Sequence, residues 1–344
     1  MFNVSYLISL IRTLIQQDSI MVTRIILNGT GTADVMQLEH MAAQTPGPGQ
    51  VWLEQTAMGV NPLDVLQRKG GAGLALPSGL GLEGAGRVTA LGDGVRNVQV
   101  GDRVAYAMGP VGAYASGRLF PAERLVNLPP QLEDEAAAAV LFKGITAQYL
   151  LKTTFAVGPG TQVLLYGAAG ALGQLMAPWA RHLGATVIGV VSRPQSVARA
   201  QAAGCQHVLV FDAATLASQV RKLTQGQGVD VVYDCVGKVS LEASLDSLRV
   251  RGLLVSFGGT SGAPAAIEVA TLNAKGSLYL TRPSLAAHTR TVEEYQQRAA
   301  DVLTAVAEGI IQPRVWRRYP LADAAKAHGD LEQGRSEGAL VLTA

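Results

Sequence analysis

The chain has 344 residues, of which 48% are hydrophobic and only 16% are charged. This length exceeds what one hydrophobic core usually organises, and the composition is that of a compact globular protein rather than a disordered one. A formal net charge of +2 gives no support for binding to nucleic acid or to a membrane surface. The two cysteines, Cys205 and Cys235, are not closely spaced. This argues against a disulfide framework and a cysteine-rich metal site, so we expect a reduced, cytoplasmic location.

Residues 1–20 carry apolar side chains at helical spacing and predict an amphipathic helix. No basic residue precedes the apolar run and Arg12 interrupts it, which argues against a secretory signal, and the run is too short to span a bilayer. Met21 opens a segment that leads into a predicted strand at 25–27. We therefore interpret residues 1–20 as an N-terminal extension outside the fold, and the sequence is equally compatible with an extension that has a function and one that has none.

From about residue 21 to 131, short β segments alternate with turns. Strands are predicted at 51–60 and 86–91, and the segment 98–106 (VQVGDRVAY) predicts two strands joined by a Gly-Asp turn. Strands at this spacing predict a partly open barrel or sandwich.

From about residue 133 the pattern changes to helices alternating with short apolar strands. A helix is predicted at 133–151, and strands are predicted at 161–166, 186–191, 208–211, 229–233 and 253–257. Apolar strands separated by helices indicate a parallel sheet covered on both faces, hence a doubly wound α/β domain. A helix is then expected after Arg282, through residue 307, and a last strand at 338–342.

A glycine-rich turn, Gly167-Ala-Ala-Gly170-Ala-Leu-Gly173, follows the first of these strands and opens a helix. Small residues in this context let the backbone approach a pyrophosphate, and the helix N-terminus supplies free N–H groups. The sequence therefore predicts a dinucleotide site. The alternative is a tight turn that packs well and binds nothing.

The end of the second strand decides between the two nicotinamide dinucleotides. A site for NAD places Asp or Glu about 20 residues beyond the glycine turn, to bind the ribose 2′-hydroxyl. Here Ser192, Arg193 and Ser196 follow the strand, and no acidic residue lies between Glu135 and Asp212. A guanidinium can bind a 2′-phosphate through two hydrogen bonds, so we predict NADPH as the cofactor. The alternative for Arg193 is a solvated surface side chain.

Several motifs together resemble one family. They are Asn61-Pro-Leu-Asp64, Leu76-Pro-Ser-Gly-Leu-Gly-Leu-Glu83-Gly-Ala-Gly86, Gly101-Asp-Arg-Val-Ala-Tyr106, Lys143-Gly-Ile-Thr146, the Gly167 turn, Val231-Val-Tyr-Asp-Cys-Val-Gly237, Val255-Ser-Phe-Gly258 and Ser277-Leu-Tyr-Leu-Thr-Arg-Pro-Ser284. With them the chain resembles, over residues 21–344, the zinc-free NADPH:quinone oxidoreductases (the zeta-crystallin-like group) of the medium-chain dehydrogenase/reductase superfamily.

The resemblance implies an α/β protein with a β-rich GroES-like substrate domain (21–145 and 284–344), a doubly wound Rossmann domain that binds NADPH (146–283), a cleft between them, and a homodimer. It implies that Asn61 lines the nicotinamide and substrate end of the site. The residues that it assigns to the cofactor are Thr146, Gly170, Ala171, Leu172, Gly173, Ser192, Arg193, Ser196, Phe211, Val236, Gly237, Phe257, Gly258 and Arg282.

The chain also departs from this family. Leu82 stands where zinc-dependent relatives carry a histidine ligand, and no cysteine precedes Cys205, so no catalytic zinc is expected. Leu66 and the loop Gly70–Gly73 replace a tyrosine and an aromatic-proline loop of the bacterial enzymes. Ser196 and Phe211 replace their lysine and tyrosine near the adenosine phosphate. The substrate pocket therefore differs more than the cofactor groove does.

Hydride addition to a quinone or an activated enone needs less help from a Lewis acid than alcohol dehydrogenation does, because the product anion is delocalised, so positioning of the acceptor against the cofactor can suffice. We predict such a reaction, with Asn61 orienting the substrate or the nicotinamide amide. Tyr106, Tyr114 and Lys143 are candidates for a general acid, and each is also compatible with a structural role; water is the other proton source. The alternatives are an enone or alkenal double-bond reductase, and a cofactor-binding protein with little turnover.

Overall fold

The computed structural model describes residues 21–71 and 73–344. The helix predicted within residues 1–20 and one position of the Gly70–Gly73 loop, Ala72, lie outside the described residues. Contacts within the chain group the described residues into two compact units: 21–138 with 318–333 and 341–344, and 139–317 with 334–340. The domain boundaries at 145/146 and 283/284 stay a prediction.

The first unit is rich in β-structure. Its elements are β1 (Met21–Leu27), β2 (Met36–Ala42), β3 (Gln50–Val60), α1 (Pro62–Arg68), β4 (Ser78–Gly79), β5 (Glu83–Leu91), β6 (Arg103–Ala107), β7 (Gly117–Pro121) and β8 (Val126–Asn127). Strands β2, β1 and β4 form a three-stranded antiparallel sheet in that order. Strand β3 pairs with β5 and β7, and β5 pairs with β6, all antiparallel.

The hairpin predicted within residues 98–106 is wrong, because only β6 forms there. Gly101 adopts φ +98° and donates its N–H to Val88 O, and the Asp102 carboxylate accepts from the N–H of Gln99. The Gly-Asp pair therefore closes a turn that leads into β6, and β6 pairs with β5 instead of with the residues just before it.

The second unit contains the doubly wound sheet that the apolar strands predict. In chain order its elements are α2 (Asp134–Tyr149), β9 (Gln162–Tyr166), α3 (Gly173–His182), β10 (Thr186–Val191), α4 (Val197–Ala202), β11 (His207–Val210), α5 (Leu216–Leu223), β12 (Val229–Asp234), α6 (Leu241–Ser247), β13 (Leu248–Ser256), α7 (Val269–Ala274), β14 (Tyr279–Thr281) and α8 (Val292–Ala307). The strand order is β11-β10-β9-β12-β13-β14, and every neighbouring pair is parallel.

The core of this sheet is built from the apolar runs that identify it in the sequence. Leu164, Ile188, Val190, Val232 and Leu254 are buried together against side chains of the covering helices. The helix expected after Arg282 begins only at Val292. The Thr291 hydroxyl caps α8 by accepting from the N–H of Glu294, so the helix starts directly after Thr291.

The chain ends with β15 (Val315–Pro320), α9 (Ala324–Glu332) and β16 (Ala339–Thr343). Strands β15 and β16 extend the sheet of the first unit, whose order is β15-β16-β3-β5-β6-β8 with β7 on β3. The predicted last strand is confirmed as β16. The α/β fold class, with a β-rich domain and a doubly wound domain, is likewise confirmed. No helix among the described residues is both long and apolar enough to cross a membrane.

Candidate cofactor site and buried polar network

The glycine turn lies between β9 and α3, at the carboxyl edge of the parallel sheet. A Cβ on Gly173 would stand 2.3 Å from the carbonyl oxygen of Gly167 and 2.7 Å from the carbonyl carbon of Ala168. Only glycine permits this approach, which brings the first turn of α3 directly against the end of β9. Gly167 itself has φ +64°, in the left-handed region that favours glycine.

The turn leaves backbone donors at its tip. Gly170 donates to Gly167 O, whereas the N–H groups of Ala171 and Leu172 have no protein acceptor within the described part of the chain. Residues 170–172 are partly exposed, and α3, which begins at Gly173, directs its positive dipole end to the same place. Unpaired amides, a close backbone approach and a helix N-terminus together fit a nucleotide diphosphate.

The residues predicted to surround the adenosine phosphate follow β10 and β11. Ser192 and Arg193 are exposed, and Nη2 of Arg193 donates to Gly334 O at 2.8 Å. Ser196 is 7% exposed, so its hydroxyl is less accessible than the sequence suggests. Phe211 is half-buried and packs on Tyr166, with 5.9 Å between the ring centroids.

The loops after β12 and β13 are held close together by main-chain contacts. Phe257 donates its N–H to Asp234 O, and a Cβ on Gly258 would meet Cys235 O at 2.6 Å. Arg282 donates from Nη1 to Ser256 O and Gly258 O, each at 3.3 Å. The predicted groove residues Val236, Gly237, Phe257, Gly258 and Arg282 are therefore neighbours.

Asp234, at the end of β12, holds the loop that follows this strand through hydrogen bonds. The sequence did not reveal this role. The buried carboxylate of Asp234 accepts from the N–H groups of Val236 and Gly237, and also from the hydroxyls of Ser240 and Ser244. Thr146, the remaining predicted cofactor residue, is buried on α2 and donates its hydroxyl to Phe142 O at 2.9 Å. The hydroxyl proton of Thr146 is therefore already donated, but the hydroxyl oxygen can still accept a hydrogen bond.

Asn61 lies in the first unit, immediately before α1, and has no exposed surface. Its Nδ2 donates to Oε2 of Glu83 at 2.9 Å, whereas Oδ1 has no hydrogen-bond partner in the described part of the chain. Glu83 is equally buried and sits against Gly59, where a Cβ would meet Oε2 at 2.1 Å. Since a carboxylate can only accept, Glu83 fixes the amide so that its oxygen points elsewhere.

The tyrosines considered as general acids belong to buried networks. The Tyr114 hydroxyl donates to Asp64 Oδ2 and is 2.9 Å from Nε2 of His328, and burial raises its pKa well above the usual value. The Tyr106 hydroxyl donates to Gln55 and accepts from Arg118, and burial raises its pKa too. Neither side chain has exposed surface, so both hold the first unit together rather than deliver protons.

Cys235 and the region around Leu82 offer no metal chemistry. Burial raises the pKa of the Cys235 thiol to about 12, and its Sγ packs near Gly167 and the Tyr166 carbonyl. Leu82 is 3% exposed and lacks any ligating atom. Within residues 21–71 and 73–344, no three His, Cys, Asp or Glu side chains lie close enough together to hold a metal ion.

Comparison with known proteins agrees with this geometry. Residues 47–130 match the family model "Alcohol dehydrogenase GroES-like domain", and residues 171–304 match "Zinc-binding dehydrogenase". A quinone oxidoreductase of Pseudomonas aeruginosa is 41% identical, over 94% of this chain and 99% of its own length. A 2-haloacrylate reductase of a Burkholderia species is 40% identical over the same shares. The structure of Escherichia coli quinone oxidoreductase complexed with NADPH aligns with a TM-score of 0.89 at 38% identity, and covers 94% of this chain and 100% of that one.

The fold is thus that of the medium-chain dehydrogenases/reductases, which combine a GroES-like domain with a Rossmann domain. Within that superfamily the chain belongs to the quinone oxidoreductase family.

The buried His328 generates a prediction about acid stability. Burial lowers the pKa of His328 to about 3, so the folded protein keeps this imidazole neutral while the unfolded chain protonates it below about pH 6.5. The unfolded state then binds one more proton, and stability falls as the pH drops from about 6.5 toward 3, by about 1.4 kcal/mol per pH unit from this group. Urea unfolding from pH 7 to 4 measures the slope.

His328→Gln keeps an N–H donor for Tyr114 and removes the titration, so we expect its stability to fall less steeply with acid. His182→Gln, which removes an exposed histidine at the end of α3, is the matched control. Identical slopes for His328→Gln and the wild type would show that folding does not lower the pKa of His328.

Proposed function

We propose that this protein is an NADPH-dependent oxidoreductase that transfers a hydride to a quinone without zinc. The observation that carries the proposal is the turn between β9 and α3, where Gly173 closes on Gly167 and the amides of Ala171 and Leu172 have no acceptor among the described residues. This arrangement is suited to a dinucleotide diphosphate, and relatives at about 40% identity carry the matching activity.

The choice of NADPH rests on the end of β10. No Asp or Glu occurs at residues 192–196, where a carboxylate could accept from a ribose 2′-hydroxyl, and Arg193 stands exposed beside Ser192. Its contact with Gly334 O uses Nη2, which leaves the other guanidinium donors for a 2′-phosphate. Ser196 and Phe211 complete the adenosine end of the proposed site.

When bound, NADPH supplies a hydride to the acceptor, and a proton from water completes reduction of a quinone to the hydroquinone. The chain's own contribution is to bind and orient. Ala171, Leu172 and Gly173 hold the diphosphate, and Gly237, Gly258 and Arg282 line the groove beyond it. We assign to Thr146 a contact with the nicotinamide ribose through its hydroxyl oxygen.

Asn61 is the residue proposed to orient the substrate or the nicotinamide amide. Its Oδ1 has no hydrogen-bond partner among residues 21–71 and 73–344, so it can accept from a carboxamide N–H or from a hydroxyl. Because Asn61 has no exposed surface here, this contact requires a conformational change that uncovers the amide.

A second candidate is reduction of an activated carbon–carbon double bond on the same scaffold. It is favoured by the 40% identity to a 2-haloacrylate reductase, which is as close as the identity to the quinone oxidoreductases. The first unit carries Leu66 and the glycine-rich Gly70–Gly73 loop where the bacterial quinone enzymes have aromatic residues, so substrate choice rests on that unit.

We further propose a cytoplasmic homodimer formed through β14. Among the described residues, this strand lies at the edge of the parallel sheet and pairs only with β13. Tyr279 and Leu280 on it are 60% and 41% exposed, and the neighbouring Val250 is 64% exposed. An unpaired edge with large apolar side chains is a surface that a second copy can cover through a two-fold axis.

Arg193→Ala tests the cofactor assignment. We expect its affinity for NADPH to fall by about ten- to a hundredfold, since charge-assisted hydrogen bonds to the 2′-phosphate are lost, while its affinity for NADH stays near the wild-type value. Fluorescence titration of both reduced nucleotides measures this, with Arg181→Ala, an exposed arginine on α3, as control. Equal affinities of wild type and Arg193→Ala for NADPH would show that Arg193 does not bind the 2′-phosphate.

Steady-state assays with two acceptors test the reaction. We expect kcat/KM for NADPH oxidation with 1,4-benzoquinone to exceed that with a conjugated alkenal by about tenfold or more, because the quinone's product anion needs less stabilisation. The reverse order would replace the quinone proposal by the double-bond reductase. Tight NADPH binding without turnover of either acceptor would contradict both.

The double substitution Tyr279→Lys with Leu280→Lys tests the proposed dimer. Sedimentation equilibrium should give about twice the chain mass of 35.9 kDa for the wild type and the single mass for the double variant. Val239→Lys, an exposed apolar position in the loop between β12 and α6, should remain dimeric. A monomeric wild type would rule out the dimer.

A further inference from the structure

Gln174 is a buried glutamine in an otherwise apolar stretch at the start of α3, directly after Gly173, and it is 8% exposed. Its Nε2 donates to Ala169 O at 3.0 Å and to Glu337 O at 2.8 Å, and lies 3.4 Å from Gly170 O. Its Oε1 accepts from Nη1 of Arg314 at 3.2 Å. One side chain therefore joins the glycine turn to a segment 163 residues further along the chain.

The orientation of this amide is determined by its partners. Backbone carbonyls can only accept, so they require the NH₂ group, and a guanidinium can only donate, so it requires the oxygen. A flipped amide would place oxygen against oxygen at one end and donors against donors at the other. Neither an aliphatic nor an acidic side chain can make the same set of contacts.

The contact with Gly170 O bears on the proposed diphosphate site. This carbonyl belongs to the peptide whose N–H is that of Ala171, and in a trans peptide the two groups point in opposite directions. Gly170 O accepts from the main-chain N–H of Gln174 at 2.9 Å, with its side chain beside it. The Ala171 N–H, which has no protein acceptor among the described residues, is therefore turned away from Gln174.

The other end of the Gln174 contact lies in the segment Gly334–Gly338, which we call the 334–338 segment. Polar contacts within the second unit hold this segment in place. Glu337 O accepts from Gln174, and the Glu337 carboxylate pairs with Arg199. Gly334 O accepts from Arg193. An open surface depression of about 370 Å³, lined by Arg199, Ala202, Arg314, Val315, Trp316 and Glu337, borders the segment. These hydrogen bonds and the ion pair with Arg199 position the segment.

The diphosphate end and the 2′-phosphate end of the proposed NADPH groove are consequently both connected to Gln174. Gln174 bonds the turn that offers amides to the diphosphate, and the segment that Gln174 holds also accepts from Arg193, the residue proposed to bind the 2′-phosphate. We propose that Gln174 is a positioning residue that sets the preference for NADPH over NADH, through the 334–338 segment and Arg193. This inference rests on the proposed function, because it assigns a selectivity device to that same site.

Gln174→Met tests the proposal, since methionine has a similar length and volume but makes none of the hydrogen bonds. We expect NADPH affinity to fall about tenfold and NADH affinity about threefold, because both nucleotides use the glycine turn but only NADPH uses Arg193. Fluorescence titration of the full chain gives the four dissociation constants. Gln174→Glu, which keeps an acceptor for Arg314 but loses the donors to the carbonyls, should shift the selectivity in the same direction.

Gln206→Met is the matched control. Gln206 also bonds the main chain of the second unit, accepting from Val187 N and donating to Ala185 O, but it does so at the opposite end of β10. We expect it to lower the melting temperature without changing the ratio of the NADPH and NADH dissociation constants. In an Arg193→Ala background, Gln174→Met should weaken both nucleotides by the same factor, because the selective part of its effect is already gone.

The outcomes separate the inference from the proposed function. If the wild type prefers NADPH and Gln174→Met and Gln174→Glu keep that preference while folded, the positioning role is overturned and the proposed function stands. An equal loss of NADPH and NADH affinity in Gln174→Met overturns the positioning role as well, because Gln174 would then stabilise only the glycine turn, which both nucleotides use. If the wild type binds neither nucleotide, the proposed function fails and this inference with it.

Discussion

The contact between Gly173 and the carbonyl of Gly167 is the constraint on which the second unit depends. With less than 2.5 Å available for a side-chain carbon, α3 can begin only where a glycine lets its first turn rest on the end of β9. The N-terminus of α3 therefore lies at the carboxyl edge of a parallel sheet, where the loops that follow β10, β12 and β13 also begin. The proposed diphosphate site, phosphate contact and cofactor groove all follow from that placement.

Sequence reasoning succeeded where local pattern determines structure. The strands β9, β10, β12 and β13 are short apolar runs because both faces of their sheet are buried, and the Gly167–Gly173 turn is recognisable because its glycines are close in sequence. It failed at residues 98–106, where a Gly-Asp turn resembles a hairpin but the partner strand comes from β5. The helix predicted after Arg282 also starts too early, because Thr291 caps α8 and the helix begins only after it.

The parts of the site that could not be predicted depend on contacts between distant residues. Nothing near Gln174 in the sequence indicates that Glu337 accepts from it, and nothing near Arg193 indicates Gly334. Asn61 could be named from its motif, but its complete burial and its bond to Glu83 appear only once β5 is placed beside β3. Tyr106 and Tyr114 could be named from the sequence as candidate general acids because a phenol can donate a proton. Only their burial and hydrogen-bond partners in the structure identify their roles as structural.

We propose that the turn after β9 presents free amides to a nucleotide diphosphate. Hydrogen–deuterium exchange of residues 167–174, with and without NADPH, tests this most directly, because no acceptor in the described part of the chain protects the Ala171 and Leu172 N–H groups. We expect rapid exchange at this turn in the free protein and clear slowing at saturating NADPH. Saturating NADPH that slows exchange elsewhere and leaves residues 167–174 unchanged would contradict it.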